Sequence, residues 1–280
     1  MIKETKKKTN HIPIIIVIVL LVTFFVNSIL FFLALAAVAI YLFITKGYFI
    51  SVFKGTKAHK NEDYKTALDY YRKAVQAKNV NGSIISSYIL MELKHGNVDK
   101  AKKYIDENLN NRSFNSREYT DLTLCESLVL WKTNDHEKAI NSLMSSLDDN
   151  KSTVAYETLS SYLVISTRFH EAREIITEGL EFNDSSNVLK SNLAELNYLT
   201  GDITEAYDVF NTLVEANVNF MEPFYYTGIE LHKAGKYDEA SKMFNEALNK
   251  NDSLISLVTR AQVEKALEAV TFKSFGEQQA

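Results

Sequence analysis

The chain has 280 residues, of which 31 are basic and 35 acidic, so its formal net charge at pH 7 is −4. The signs are separated: residues 1–60 hold eight lysines and one acid, whereas residues 61–280 hold 23 basic and 34 acidic side chains. An acidic region of this size disfavours nucleic acid as a partner, because that binding rests largely on neutralising phosphates.

The first predicted element is a transmembrane segment over residues 12–47. The run from Ile12 to Thr45 contains 34 residues and no charged side chain, whereas about 18 apolar residues already indicate a membrane helix. As one helix it would measure about 51 Å, against a hydrocarbon core of about 30 Å. The polar pair Asn27–Ser28 lies near its midpoint. We therefore expect a transmembrane helical hairpin, with helices over residues 12–26 and 29–45 in contact with bilayer lipid.

Lysines flank this segment on both sides, in a basic N-terminus over residues 1–11 and again from Lys46 to Lys60. Because excess lysine marks the cytoplasmic side, we expect a multi-pass protein of the cell membrane whose remaining domain faces the cytoplasm. A cleaved secretory signal is disfavoured, since the apolar run exceeds the roughly 7–15 residues of such signals. A single signal anchor, which would place the remaining domain outside the cytoplasm, stays open.

Residues 48–252 contain a repeat with a period near 34 residues. Six alanines recur at spacings of 34, 38, 33, 34 and 34, and a large residue, apolar or aromatic, follows each of them by four positions. Two residues four apart lie on one face of a helix. The pattern therefore predicts pairs of helices in which the alanine permits close packing. The alanines are Ala67, Ala101, Ala139, Ala172, Ala206 and Ala240.

The sixth repeat unit resembles the tetratricopeptide repeat (TPR) family, whose helix–turn–helix unit has 34 residues. Gly228 matches the small position of the first helix, Gly235 and Tyr237 match the turn, and Phe244 and Ala247 match the second helix. The resemblance covers about residues 48–252. It implies an all-α, TPR-like solenoid of about six repeats. We expect residues 253–270 to form a capping helix and residues 271–280 to form a flexible tail.

Sequence motifs for catalysis are absent from the chain. No phosphate-binding glycine loop, nucleophile elbow or HExxH motif occurs, and the six histidines are scattered. The single cysteine, Cys125, excludes an intramolecular disulfide and a cysteine-based metal cluster. We therefore predict no catalytic, cofactor or metal site, no small-molecule substrate and no enzymatic activity.

The TPR resemblance also implies where a partner binds. In that family the first helix of each unit lines a concave face, and mixed aromatic and polar residues there suit peptide recognition. The sequence thus predicts a membrane-anchored scaffold or assembly factor for a protein or peptide. The alternative is an extracytoplasmic TPR protein of envelope assembly or secretion, held by a signal anchor. The candidate protein-binding residues are Leu128, Trp131, Glu157, Ser161, Ser191, Glu195, Tyr198, Tyr225, Ile229 and His232.

Overall fold

A computed structural model of the chain describes residues 3–4, 12–77, 80–109, 113–149 and 151–277. Within these ranges the chain is almost entirely helical, apart from turns and short backbone pairings such as that of β1 (Lys3–Glu4) with β2 (Ser113–Phe114). The contacts divide it into two compact units, Met1–Asp135 (unit 1) and His136–Ala280 (unit 2). Most of the predicted basic N-terminus and the end of the predicted tail lie outside the described residues.

Two apolar helices lie near the start of unit 1, namely α1 (Ile12–Val26) and α2 (Ser28–Lys46). They are separated by Asn27, whose side-chain oxygen accepts a hydrogen bond from the backbone N–H of Ile29 at 2.8 Å, as a helix N-cap does. The cap begins a new helix at this point. Many large apolar side chains of α1 and α2 are exposed.

The prediction of a multi-pass membrane protein is wrong. Within the residues that the structure describes, no helix is both long enough and apolar enough to cross a bilayer. Because Asn27 divides the apolar run, α1 has only 15 residues and extends about 23 Å, against a hydrocarbon core of about 30 Å. The predicted lipid contact and cytoplasm-facing location lose their basis, and the single signal anchor, which relies on the same segment, is not supported either.

The remaining helices of unit 1 pack around a shared apolar core. Asn81 and Asn115 cap two of them through their side-chain oxygens, and Glu118 completes a capping box with Asn115. Ile89 and Leu122 are fully buried between these helices. The helices are α3 (Tyr48–Lys60), α4 (Tyr64–Val75), α5 (Gly82–His95), α6 (Val98–Asn108) and α7 (Ser116–Lys132).

Unit 2 is held together by small residues where its helices approach closely. Ala172, Ala206 and Ala240 are each fully buried, and a Cβ added to Gly228 would lie 2.6 Å from the ring of Phe244. The alanines that recur about every 34 residues were expected at positions where two helices pack closely, and these three are buried at such positions. The helices are α8 (His136–Asp149), α9 (Thr153–Ile165), α10 (Phe169–Phe182), α11 (Asn187–Thr200), α12 (Ile203–Glu215), α13 (Glu222–Lys233), α14 (Tyr237–Leu248) and α15 (Arg260–Glu277).

The final helix α15 begins later and ends later than the predicted capping helix over residues 253–270. Thr259 and Gln262 form a reciprocal cap: the side chain of Gln262 accepts from the Thr259 N–H at 2.7 Å, and the Thr259 hydroxyl accepts from the Gln262 N–H at 3.3 Å. This is a capping box, which starts the helix at Arg260. The helix packs against α14, and residues 253–258 before it form an irregular segment.

Candidate partner-binding face

The first helices of the three helix pairs in unit 2, α9, α11 and α13, carry the candidate surface, which we call the first-helix face of unit 2. On α11 the residues Ser191, Glu195 and Tyr198 are four and three positions apart. Side chains with this spacing lie along one side of a helix. The face therefore presents a polar and aromatic row rather than an apolar stripe.

Helices α9 and α11 are joined by a polar contact centred on Asn192. Its amide nitrogen lies 2.8 Å from the hydroxyl of Ser160 and 3.0 Å from that of Ser161. The Glu157 carboxylate on α9 accepts a hydrogen bond from the hydroxyl of Ser186 at 2.6 Å. Burial raises the pKa of Glu157, and the bond from Ser186 opposes that shift. These bonds fix the position of α11 against α9.

A partly open cavity of about 70 Å³ lies on this face. Serine and glutamate side chains of α11 form one wall, Glu222 at the start of α13 forms another, and the irregular segment Ser253–Leu257 covers a third side. One water molecule needs roughly 10–15 Å³ of such cavity space. The cavity therefore has room for several water molecules or for one small polar group.

Two nearly buried carboxyl groups line the cavity. Glu195 is 2% exposed, and its one described hydrogen-bond partner is the hydroxyl of Ser191 at 3.5 Å. Burial raises the pKa of Glu195 well above its usual range, and the neighbouring Glu222 raises it further. Burial also raises the pKa of Glu222, although bonds from the Ser256 hydroxyl and from backbone N–H groups oppose this. The cavity disfavours two negative charges while it lacks a counter-charge.

A second polar cluster lies at the C-terminal end of α11. The Tyr198 hydroxyl donates to the carboxylate of Glu230 at 2.9 Å and accepts from the ammonium of Lys233 at 2.9 Å. The same ammonium donates to Glu230 at 2.7 Å. Burial raises the pKa of Tyr198, so its hydroxyl keeps its proton as a donor. This cluster is charge-balanced in itself, unlike the pair of carboxyl groups in the cavity.

Aromatic rings line the part of the face that α13 provides. Tyr226 is buried and stacks on Phe210 with ring centroids 4.8 Å apart. Tyr225 is half-buried and meets the ring of Tyr226 edge to face at 5.3 Å. Since Tyr226 is held by the core, Tyr225 rests on a rigid support while part of its ring stays accessible.

Of the ten candidate residues, eight lie on the first helices α9, α11 and α13 of unit 2, and two lie on α7 in unit 1. Leu128 and Trp131 are buried on α7 in unit 1, and Ser191 and Glu195 are buried in unit 2. Five candidates keep partial exposure, as a partner contact requires. They are Glu157, Tyr198, Tyr225, Ile229 and His232.

Sequence reasoning missed three residues that shape the cavity, namely Asn192, Glu222 and Ser256. Glu222 stands directly before Pro223 in the first turn of α13, where an acid suits the helix dipole, and this local pattern carries no signal that the side chain is buried. Ser256 was assigned to a capping helix, although the Thr-x-x-Gln sequence beginning at Thr259 marks the true start. Within the described part of the chain, no group of three or more His, Cys, Asp or Glu side chains is placed to hold a metal ion.

Comparison with known proteins identifies the class of fold. A family model described as the fifth ARM repeats domain of TT21 matches residues 56–161. A tetratricopeptide repeat protein from Parabacteroides merdae is 13% identical with a TM-score of 0.51, and the match covers 80% of this chain and 98% of that one. A chain of the APC/C hetero-tetramer Cut9–Hcn1 is 14% identical with a TM-score of 0.57, covering 88% of this chain and 50% of that one. No curated protein matches the sequence.

Likeness at this level of identity establishes the fold alone. The prediction of an all-helical, TPR-like repeat fold is confirmed by the two structures. The family model covers the region from α3 to α9 and describes a related kind of helical repeat. The chain therefore has a TPR-like helical repeat architecture, and its partner has to be argued from its own residues.

Proposed function

We propose that this chain is a protein-binding scaffold or assembly factor, and that a peptide segment of its partner binds along the first-helix face of unit 2. Helical repeat folds present extended surfaces for partners, and such folds are typical of non-enzymatic scaffolds. The observation that carries the proposal is the row of half-buried side chains on α11 and α13. These residues are Tyr198, Tyr225, Ile229 and His232.

Tyr225 is the best candidate for an anchor of the partner. Tyrosine combines a large apolar ring with a polar end and is enriched among residues that dominate binding energy. The Tyr225 ring rests on Tyr226, which is held by Phe210, so little side-chain freedom is lost when a partner covers it. Ile229 lies one turn further along α13 and extends the same accessible strip.

The test uses the full chain and peptides selected against it by display, with binding measured by fluorescence anisotropy of a dye-labelled peptide. Tyr225→Ala should weaken binding at least about 10-fold, as truncation of an anchor does. The matched control is Tyr207→Ala, which removes a tyrosine of similar exposure from the second helix α12 and should change binding less than about 2-fold.

The proposal fails if no peptide binds the full chain, or if both tyrosine variants weaken binding equally. Thermal unfolding checks that Tyr225→Ala remains folded, since loss of a half-buried ring also removes packing. If that variant unfolds, Ile229→Gln replaces it, because glutamine is a good helix former and exchanges the apolar contact for a polar amide. Ile229→Gln should then weaken binding while Tyr207→Ala does not.

A further inference from the structure

The carboxyl group of Glu195 lacks an adequate partner in the cavity. Its side chain is 2% exposed, and the hydroxyl of Ser191 lies 3.5 Å away, whereas ordinary O–H···O bonds are about 2.7–2.8 Å long. No other donor reaches it within the described residues. A buried carboxyl group is normally paired or fully hydrogen-bonded, because its burial is otherwise unfavourable.

The walls of the cavity combine acceptors with apolar surface. Glu195 and Glu222 supply carboxyl groups, and the serine and asparagine side chains of α9 and α11 supply further oxygens. Val188, Ile255 and Leu257 supply apolar surface in the same cavity. None of the lining residues is Lys, Arg or His, so the cavity supplies no positive charge of its own.

We propose that this cavity is a binding site for a cationic side chain, the ammonium of a lysine or the guanidinium of an arginine, on the bound partner. This inference rests on the proposed peptide-binding function and names the chemistry that the face selects. A lysine or arginine has an apolar stem and a charged end that carries only donors. The stem fits the Val188, Ile255 and Leu257 wall, and the charged end supplies the donors that Glu195 lacks.

The size of the cavity agrees with this occupant. Its volume of about 70 Å³ exceeds that of one water site several-fold and suits one charged head group with its last methylene groups. Glu195, which lines the cavity, stands three positions before Tyr198 on the same side of α11, so a peptide held at Tyr198 would lie close enough to direct one side chain inward. Hydrogen bonds to a charged group are stronger than neutral ones, so the cavity should discriminate between a cation and a neutral chain of the same length.

The test titrates the full chain with Nα-acetyl-lysine N-methylamide and with the corresponding arginine amide, using the norleucine amide as the neutral isostere. Binding is followed by NMR of 13C-labelled methyl groups of Val188, Ile255 and Leu257. We expect both cationic amides to shift these methyl signals saturably and to bind at least roughly 10-fold more tightly than the norleucine amide. The double variant Glu195→Gln, Glu222→Gln should lose this preference.

The matched control is Glu205→Gln, which neutralises an exposed acid on α12 and should bind all three amides as the wild type does. The methyl spectrum of each variant without ligand reports whether it is folded, and Glu195→Gln alone replaces the double variant if that one unfolds. Three results overturn the proposal: methyl signals that no cationic amide moves, equal binding of the norleucine amide, or an unchanged preference in the glutamine variants.

This titration separates the failure of the two proposals. If the amides do not enter the cavity but displayed peptides still bind in a Tyr225-dependent manner, only the cationic site is wrong. If peptides do not bind while the cationic amides do, the cavity selects cations but the proposed peptide-binding role fails. Each amide titration is made without any selected peptide, so it tests the cationic site whether or not the chain binds displayed peptides.

Discussion

Units 1 and 2 each bury a glutamate almost completely, yet only one of the two has a counter-charge. In unit 1, Glu92 is 1% exposed, and its two carboxylate oxygens accept from the guanidinium of Arg72 at 3.0 Å and from the Asn97 backbone N–H at 3.1 Å. In unit 2, Glu195 is 2% exposed and lies beside another acid, with one long contact from Ser191.

The presence or absence of a counter-charge indicates the role of each acid. Glu92 joins α5 to α4 and to the start of α6, so both of its oxygens are used within the fold. Glu195 opens into a cavity and raises the energy of unit 2 whenever it is ionised without a partner. An unpaired buried acid of this kind is typical of a functional position, whereas a paired one is typical of structure. Substitutions that change the surroundings of one of these acids at a time should separate the two roles.

The largest effect is expected when Glu92 is made to resemble Glu195. Arg72→Met removes the guanidinium and leaves Glu92 buried with only neutral donors, the Asn97 backbone N–H and the Tyr88 hydroxyl. Loss of one partner of a buried pair costs about 3–5 kcal/mol, and because the Arg72 side chain is 37% exposed, we expect about 2–3 kcal/mol. Hydrogen exchange of the α5 amides measures this loss.

The control for that change is Lys103→Met on α6. Lys103 forms an exposed ion pair with Glu107 at 3.8 Å, and such surface pairs contribute at most about 1 kcal/mol. The α5 amides should therefore keep their protection in this variant. If both variants lose the same protection, the bond between Arg72 and Glu92 is not what stabilises unit 1.

A smaller effect of opposite sign is expected in unit 2. Glu195→Gln keeps the size of the side chain and removes the charge, so α11 should become more stable by about 1–2 kcal/mol at pH 7.5. Glu205→Gln, which changes an exposed acid, should stay within about 0.5 kcal/mol. Hydrogen exchange of the α11 amides measures both changes in stability. If Glu195→Gln is less stable than the wild type, the Glu195 carboxylate is not unpaired in the folded chain.

The same acid predicts how the stability of unit 2 depends on pH. Burial and Glu222 raise the folded-state pKa of Glu195 well above the ordinary glutamate value of 4.5. Between 4.5 and the folded-state pKa, the folded chain holds a proton that the unfolded chain has lost, so stability falls as pH rises. Lowering pH from 7.5 to 5.5 should therefore stabilise α11, at no more than about 1.4 kcal/mol per pH unit for one group. The effect should shrink in Glu195→Gln.

The smallest effect is expected at Tyr198, whose partners balance one another. Tyr198→Phe removes a hydroxyl bonded to Glu230 and Lys233, but those two residues remain bonded to each other at 2.7 Å. We expect a loss of about 0.5–1 kcal/mol in the protection of α11. A loss as large as that of Arg72→Met would show that charge balance does not distinguish these clusters.

The repeat fold was predictable because its signals are local. Each alanine and the large residue four positions later stand on one helix, so a period of about 34 residues reveals paired helices without any tertiary information. The division of the apolar run near Asn27 was also expected from one local signal, the polar pair Asn27–Ser28, and the structure has a side-chain cap there. What was wrong is the inference that these helices cross a bilayer, because hydropathy reports composition over a window and does not by itself establish a membrane span.

The candidate site was predictable only in part. The TPR resemblance located Ser191 and Glu195 on a first helix, because aligning the repeat units fixes the position of each residue along its own helix. It did not reveal the cavity, which depends on Glu222 and on Ser256, a residue about 60 positions further along the chain. Whether a buried acid finds a counter-charge depends on such distant neighbours, so the contrast between Glu92 and Glu195 needs the three-dimensional structure.

The most direct test of the account is the ionisation of Glu195 itself. In the full chain with 13C-labelled glutamate carboxyl groups, the Glu195 signal is assigned by its loss in Glu195→Gln and followed by NMR during a pH titration. We expect its midpoint to lie above 4.5 in the free chain and to fall when Nα-acetyl-lysine N-methylamide is added, because a bound cation favours the carboxylate. A midpoint at or below 4.5, or one that the lysine amide leaves unchanged, would contradict an unpaired acid that awaits a cationic partner.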